Sequence, residues 1–274
     1  MRADSLEEAL SVLAKYGDDV RVMAGGQSLG AMLNMRIVSP SILLDINRIF
    51  ALSKIESSDT LVTGAMVRQA DALSDAIVRR EAGLLAQALP HVGHYQTRNR
   101  GTLGGSVAHA DPSAEIALVL ATLGGEIELR SARRVRRVAA KQFFRSSLVT
   151  SRGGDELITA LYWPGASPDQ RTAFVEFAVR EGDFAIVAIA CVFQEVAGRM
   201  RLGFGGCGEV PQVVEIPITT GTSTRSVEEI AQHLSKQLEC RSDLLASSDY
   251  RRSLATTLAR NAMMASMEKA RADA

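Results

Sequence analysis

The chain has 274 residues, 46% of them hydrophobic and only 5% aromatic, which suffices for one large domain or two modest ones around an aliphatic core. A formal net charge of +0 argues against nucleic acid or a membrane surface as a partner held by bulk charge. The three cysteines, Cys191, Cys207 and Cys240, are scattered without metal spacing, suggest no disulfide framework and so suit a reducing cytoplasm. From the N-terminus, Ser5-Leu6-Glu7-Glu8 is a capping box for a helix with an apolar stripe of Leu6, Ala9, Leu10 and Leu13, closed by Gly17. Val20 to Ala24 reads as a strand. The loop Ala24-Gly25-Gly26-Gln27-Ser28-Leu29 leaves its end, and Leu29 to Met35 reads as a short helix after it. Ile42 to Ile46 and Leu61 to Ala65 are further strands, the second followed by helices over Arg68 to Arg80 and Glu81 to Ala88.

A second glycine-rich run comes next, Arg98-Asn99-Arg100-Gly101-Thr102-Leu103-Gly104-Gly105-Ser106, followed by Ala108-His109-Ala110-Asp111-Pro112. Asp111 to Glu115 opens an apolar helix running to Leu123. Glu126 to Leu129 and Arg136 to Ala139 form a hairpin, and Glu156 to Trp163 is a strand closed by Pro164. The polar segment 165–171 marks the main boundary, giving domains 1–168 and 169–274. Beyond it, Ala173 to Val179 is a strand, and Phe184 to Val192 fits strand or helix by periodicity. Cys191 to Val196 and Met200 to Phe204 form a hairpin about Gly198. Val227 to Leu238 and Tyr250 to Met267 are helical. Strands and helices do not alternate in regular βαβ units, so the class is α+β. No long apolar run is present to span a membrane, and Met1 to Ser5 lacks an apolar signal core.

The two glycine loops carry the chemistry. Adjacent glycines let the backbone approach a ligand and turn its N–H groups outward, which suits a pyrophosphate. Ser28, Thr102 and Ser106 add hydroxyl donors, and the helix after the first loop aims its N-terminus at the phosphates. Two such loops from distant parts of one chain suggest a dinucleotide clamped from both sides. Gly203-Phe204-Gly205-Gly206-Cys207-Gly208 formally fits G-x-G-x-x-G, but Val210-Pro211 blocks a helix start and no ribose-binding acid follows on a second strand. That run reads as a tight strand-end loop. The basic stretch Arg130 to Arg137 is either a solvated hairpin with alternating charges or a docking patch for another subunit. His91, His94 and His109 do not form a metal site on spacing. Asp111 and Glu115 are carboxylates at a helix start, common there because of the dipole. Three cysteines cannot hold an iron–sulfur cluster, which takes about four thiolates.

Together, AGGQSL and RNRGTLGGS…HADPSAE resemble the signature of the FAD-binding subunit of molybdenum hydroxylases, of the carbon monoxide dehydrogenase type. Arg180 to Ala185, Arg201 to Gly208 and Ser248 to Arg252 follow as later landmarks, so the resemblance covers nearly the whole chain. It implies a PCMH-type FAD-binding fold of two small α/β subdomains. A C-terminal three-stranded antiparallel sheet with helices follows, with Phe184 to Val192 helical. Relatives carry an extended segment before the position matching Ser5, so the first strand of the fold is expected to be missing or the chain to start late.

The implied cofactor is FAD, held without a covalent link because the AGGQS loop offers neither His nor Cys. The implied site comprises Ala24, Gly25, Gly26, Gln27, Ser28 and Leu29 from the first loop. From the second come Gly101, Thr102, Leu103, Gly104, Gly105 and Ser106. Asp111 and Glu115 face the ribityl chain or ribose, Leu157 lines the cofactor and Phe184 covers the flavin ring. The implied function is electron transfer. A large subunit carries molybdopterin, a small one carries two [2Fe–2S] clusters, and this chain's FAD passes electrons to an external acceptor. The assembly is a cytoplasmic dimer of heterotrimers. Rival readings are a self-sufficient PCMH-type flavin oxidase and a non-enzymatic nucleotide-binding scaffold.

Overall fold

The computed structural model describes residues 1–272. α1 (Leu6–Tyr16) is capped by Ser5, whose hydroxyl accepts the Glu8 N–H, and buries Ala9 and Leu13. β1 (Val20–Met23), α2 (Leu29–Asn34) and β2 (Ile42–Asp45) follow. β1 and β2 pair in parallel, which requires the crossover that α2 lies in. The edge expected to lack a first strand carries Met1 to Ala3. Asp45 N–H donates to Met1 O at 2.9 Å, and Ala3 N–H donates to Asp45 O at 2.9 Å.

β3 (Ile55–Ser57) and β4 (Leu61–Gly64) lead into α3 (Gln69–Ser74), α4 (Ala76–Glu81) and α5 (Gly83–Ala88). The single helix expected over Arg68 to Arg80 is thus two. The break falls at Asp75, whose side chain leaves the helix to accept the Ile77 and Val78 N–H groups and cap α4. α6 (Tyr95–Arg100), α7 (Leu103–His109) and α8 (Glu115–Leu123) follow. Then come β5 (Glu126–Arg130), β6 (Val135–Ala139), α9 (Ala140–Phe143), β7 (Phe144–Ser146), β8 (Val149–Thr150) and β9 (Leu157–Trp163). One antiparallel sheet has the order β3-β4-β9-β5-β6.

The C-terminal part holds β10 (Gln170–Phe177), β11 (Val187–Gln194), β12 (Arg199–Gly205), β13 (Gln212–Pro217), α10 (Thr224–Gln237) and α11 (Ser248–Ala272). Its sheet is antiparallel, as expected, but four-stranded in the order β10-β11-β12-β13 rather than three-stranded. The fourth strand pairs with β12 as an edge, alternates half-buried and exposed residues, and is bracketed by Pro211 and Pro217, positions an edge tolerates. The helix expected within Phe184 to Val192 is the strand β11. It is buried on both faces, between α8 and α11, so its apolar run shows no period to read.

α8 joins the two parts. Each of its residues is buried, and it packs against α5 and α7 on one side and β11 and β12 on the other. Each buried Leu or Ile there contributes roughly 1.5–3 kcal/mol. The glycine run of β12 exists for this contact. A Cβ on Gly205 would sit 2.9 Å from Leu118 Cδ2, and one on Gly203 would collide with Thr122. Among the described residues no helix is long and apolar enough to cross a membrane.

Candidate functional site

Both glycine loops open onto one cleft of about 640 Å³. Each loop starts a helix, α2 from Ser28 and α7 from Thr102. The glycines differ in their reasons. Gly26 sits at φ +75°, a turn that L side chains rarely adopt, with Met23 Sδ 3.2 Å from where a Cβ would be. Gly25 lies backbone to backbone against the second loop, and a Cβ there would collide with the Arg100 carbonyl. A Cβ on Gly101 would come 2.5 Å from Gln69 Oε1, and one on Gly104 2.5 Å from Ala65 Cβ. The second loop is also stitched to the end of β4: Leu103 N–H donates to Val67 O and Gly104 N–H to Ala65 O, each at 3.0 Å. Thr102 Oγ1 accepts the Gly105 N–H at 3.0 Å, so this hydroxyl caps α7.

A polar clip holds the loops together. Asn47 Nδ2 donates to Ala24 O at 2.8 Å, and Arg68 Nη2 donates to Asn47 Oδ1 at 2.8 Å. Arg68 Nη1 then donates to Arg100 O. Neither residue belongs to a recognisable motif, and no sequence signal pointed to them.

The residues expected from sequence line the cleft with one exception. Ala24 to Leu29, Gly101, Thr102, Gly104, Gly105 and Ser106 form its loop wall, with Asp111, Glu115 and Leu157 deeper along it. Phe184 reaches it from the C-terminal part and is 58% exposed at the mouth. It follows Gly182, at φ +82°, whose Cβ would come 2.5 Å from His94 Nδ1. Leu103 does not face the cleft. Its side chain is fully buried in the core, because α7 turns Leu103 and Val107, one helical turn apart, inward. Arg21, Arg152 and the segment from Leu148 to Thr150 also line the cleft and were not foreseen. A Gly-Gly pair, Gly153-Gly154, directly after Arg152 was the signal available for that wall.

Burial sets the charge states. Glu115 is 5% exposed, and desolvation pushes its carboxyl up to about 8, so it is largely a neutral donor at pH 7. Burial also holds the His109 imidazole below its usual value. Arg152 donates to Gly153 O at 2.8 Å and Glu156 O at 2.6 Å. The basic hairpin is spoken for internally. Arg136 Nε and Nη2 each reach Glu156 at 2.7 Å, Arg134 Nη2 reaches it at 3.1 Å, and Arg137 stacks 3.6 Å from the Tyr162 ring centroid. The hydrogen bond from Arg136 holds Glu156 down at about 2. This favours the hairpin reading of 130–137 over a docking patch. The later glycine run, 203–208, lacks the strand-to-helix geometry of a dinucleotide fingerprint: a strand rather than a helix follows it.

Residues 1–166 match the FAD binding domain in molybdopterin dehydrogenase, and residues 172–266 match the CO dehydrogenase flavoprotein C-terminal domain. The chain belongs to the molybdopterin dehydrogenase flavoprotein family. The resemblance read from the two glycine motifs is therefore borne out. Its first part is an FAD-binding domain, and the family is one of oxidoreductase subunits. The chain is 34% identical to the 6-hydroxypseudooxynicotine dehydrogenase complex subunit alpha of Paenarthrobacter nicotinovorans, over 98% of this chain and 94% of that one. It is 35% identical to the glyceraldehyde dehydrogenase medium chain of Sulfolobus acidocaldarius, over 94% of each. Among solved structures, a chain of quinoline 2-oxidoreductase from Pseudomonas putida 86 superposes with a TM-score of 0.91 at 34% identity, covering 98% of this chain and 96% of that one.

Proposed function

We propose that the cleft binds one FAD without a covalent link and that the chain is the electron-transfer subunit of a molybdenum hydroxylase. The observation that carries this reading is the joining of two glycine loops, backbone against backbone, across one cleft. The cleft fits the group. Gly26 and Gly105 leave room for a diphosphate to approach the backbone, and Ser28 and Ser106 stand beside them as hydroxyl donors. Gln69 Oε1 lies buried beside Gly101 with no partner among the described residues, an acceptor for a ligand hydroxyl or amide. Glu115 presents a largely neutral carboxyl, and Asp111 lies beyond it, toward a sugar-like chain. Leu157 and Phe184 give apolar cover for a flat ring. Bound FAD supplies electron storage, while the protein sets its position and surroundings.

In this reading the electrons come from [2Fe–2S] clusters on a small subunit, and a large molybdopterin subunit turns over the substrate. The three form a cytoplasmic dimer of heterotrimers. Cys191, Cys207 and Cys240 are not joined in a disulfide, which suits that compartment. The test has two parts. Acid precipitation of the purified yellow chain should release all the colour; colour kept in the pellet would show a covalent link. Substrate of the complex should then bleach the bound FAD only after the large and small subunits are supplied. Bleaching by an organic substrate in the isolated chain would instead establish a self-sufficient oxidase.

A further inference from the structure

Two cysteines distant in the sequence meet at the end of β12. Cys207 lies in the turn that follows this strand and is fully buried. Cys240 lies in the segment between α10 and α11, is half-buried, and packs against the core cluster that contains Cys207. Hydrogen bonds pin the two segments together on both sides of Cys240. Arg241 N–H donates to Cys207 O at 2.9 Å. On the other side, Glu239 N–H donates to Gln212 Oε1 at 3.0 Å, and Gln212 Nε2 donates to Glu239 O at 2.8 Å. Gly208 permits this approach: a Cβ there would come 2.8 Å from Gln212 Nε2 and 3.1 Å from Glu239 O. The Cys207 and Cys240 thiols themselves share a hydrogen bond.

A buried cysteine is often no more than a small hydrophobe. Cys191 fits that description; its Sγ lies in the core, 3.4 Å from Ser266 Oγ. The Cys207–Cys240 pair differs in two ways. It sets thiol against thiol on segments pinned to each other, which is what a disulfide needs. It also joins a thiol that keeps some contact with solvent to one that has none. Burial, with Cys240 adding to it, pushes the Cys207 thiol up to about 12, while Arg251 and Arg241 oppose the shift. Cys207 therefore stays protonated and inert toward oxidants in solution, and Cys240 is the point of entry.

We propose that Cys207 and Cys240 form a reversible disulfide in response to hydrogen peroxide, locking the segment between α10 and α11 to the end of β12. Disulfides formed in a reducing compartment are usually of this transient, redox-sensing kind. The chemistry balances. The Cys240 sulfur attacks one peroxide oxygen, the O–O bond breaks, and Cys240 becomes a sulfenic acid. The displaced hydroxide leaves as water with the thiol proton. The Cys207 sulfur then attacks Cys240 Sγ, and the S–S bond forms as the S–O bond breaks. The Cys207 proton departs with that hydroxide as a second water. Two thiols have lost two electrons, and one peroxide has become two waters. The lock closes a covalent loop around β13 and α10. It also adjoins the cleft wall. Gly206 N–H donates to Pro112 O at 2.8 Å and Arg241 Nη2 to Ser113 Oγ at 3.5 Å, so a neighbour of each cysteine holds the turn after cleft-lining Asp111.

The experiment treats the full chain with hydrogen peroxide, alkylates the remaining thiols after unfolding, and maps the peptides by mass spectrometry without reduction. The expected product joins the Cys207 and Cys240 peptides, carries the alkyl group on Cys191, and returns to free thiols with dithiothreitol. Cys240→Ser should give no link and leave Cys207 reduced. Cys207→Ala should stop at a Cys240 sulfenic acid that dimedone traps. Oxidised wild type should unfold at a higher urea midpoint than the reduced chain, because the crosslink restrains the unfolded state, and Cys240→Ser treated in the same way should not shift. Peroxide that leaves Cys207 and Cys240 as thiols overturns the proposal. So does peroxide that carries Cys240 on to a sulfinic acid while Cys207 stays free. A linked chain whose midpoint is unchanged or lower overturns the lock. The peptide map is made on wild type, so it decides the link even should Cys207→Ala fail to fold.

Discussion

Arg68 donates through Nη2 to Asn47 Oδ1 at 2.8 Å, and this one contact ties the two glycine loops into a single wall. Asn47 holds the first loop by the Ala24 carbonyl, and Arg68 holds the second by the Arg100 carbonyl. The clip matters because Gly25 meets that same Arg100 carbonyl, so the loops touch with no side chain between them. Burial lowers the affinity of the Arg68 guanidinium for its proton, with Arg100 adding to the effect, yet an arginine stays charged.

Arg68→Ala should therefore weaken FAD binding without unfolding the chain. Loss of a charge-assisted hydrogen bond costs about 1.5–3 kcal/mol, or about 10- to 100-fold in Kd. Asn47→Ala should act in the same direction, and the double variant should cost less than the sum of the two. Titrating apo protein with FAD and following flavin fluorescence gives all three numbers. Full additivity would mean the two residues act separately and the clip does not exist.

Gly26→Val and Gly105→Val should both purify depleted of flavin. At Gly26 the change forces a branched residue into φ +75°, and at Gly105 a Cβ would sit 2.7 Å from the capping Thr102 Oγ1. Gly30→Ala is the control, since nothing lies within 4 Å of its Cβ position. Far-ultraviolet circular dichroism should be close to wild type in each. If both valine variants keep a full complement of FAD, the loops do not hold the diphosphate.

What the chain shows before folding is local. The Ser5 cap, the glycine loops and the β5–β6 hairpin rest on neighbours within a few residues, and each was legible. Interactions that cross the chain were not. Nothing near Arg68 announces Asn47, 21 positions away. Nothing in the run of arginines from 130 to 137 announces that Glu156 will absorb two of them. β11 misled for a different reason. Val187 to Phe193 is apolar at every position because both its faces are covered, and a continuous run has no period from which to tell strand from helix. Leu103 shows the limit within a motif: it sits among cleft-lining residues, but the helix it begins points it into the core.

The raised carboxyl of Glu115 makes the folded chain less stable as pH rises. An unfolded glutamate loses its proton near 4.5, while the folded one holds it to about 8. Between those values the native state binds the extra proton, so stability falls with increasing pH and levels off above about 8. Glu115→Gln should remove that slope. Glu156 acts in the opposite sense: held at about 2, it adds stability above its unfolded value that is lost as pH falls from about 4.5 toward 2. Urea midpoints measured from pH 5 to 8 for wild type and Glu115→Gln separate the first effect cleanly, because Glu156 does not titrate in that window. Parallel curves for the two proteins would contradict the neutral state of Glu115.

Arg251, from the landmark Ser248 to Arg252, is a fully buried arginine on α11. Its Nη1 donates to Ile186 O at 2.6 Å and Gly206 O at 2.8 Å, and its Nη2 donates to Asp243 Oδ2 at 2.6 Å. It thus fastens the start of β11, the turn after β12 and the loop before α11 to one point. Ile186 N–H in turn donates to Phe177 O, which sets the exit of the segment bearing Phe184. Arg251→Met keeps much of the volume but strands two carbonyls in the core, at about 1–3 kcal/mol each. The expected loss is about 2–5 kcal/mol, read as a lower urea midpoint with an unchanged m-value. Arg251→Lys should recover only part of it, because a single ammonium cannot reproduce the fork that spans three acceptors. A midpoint for Arg251→Met equal to that of wild type would mean the buried arginine is not what holds the C-terminal helix to the sheet.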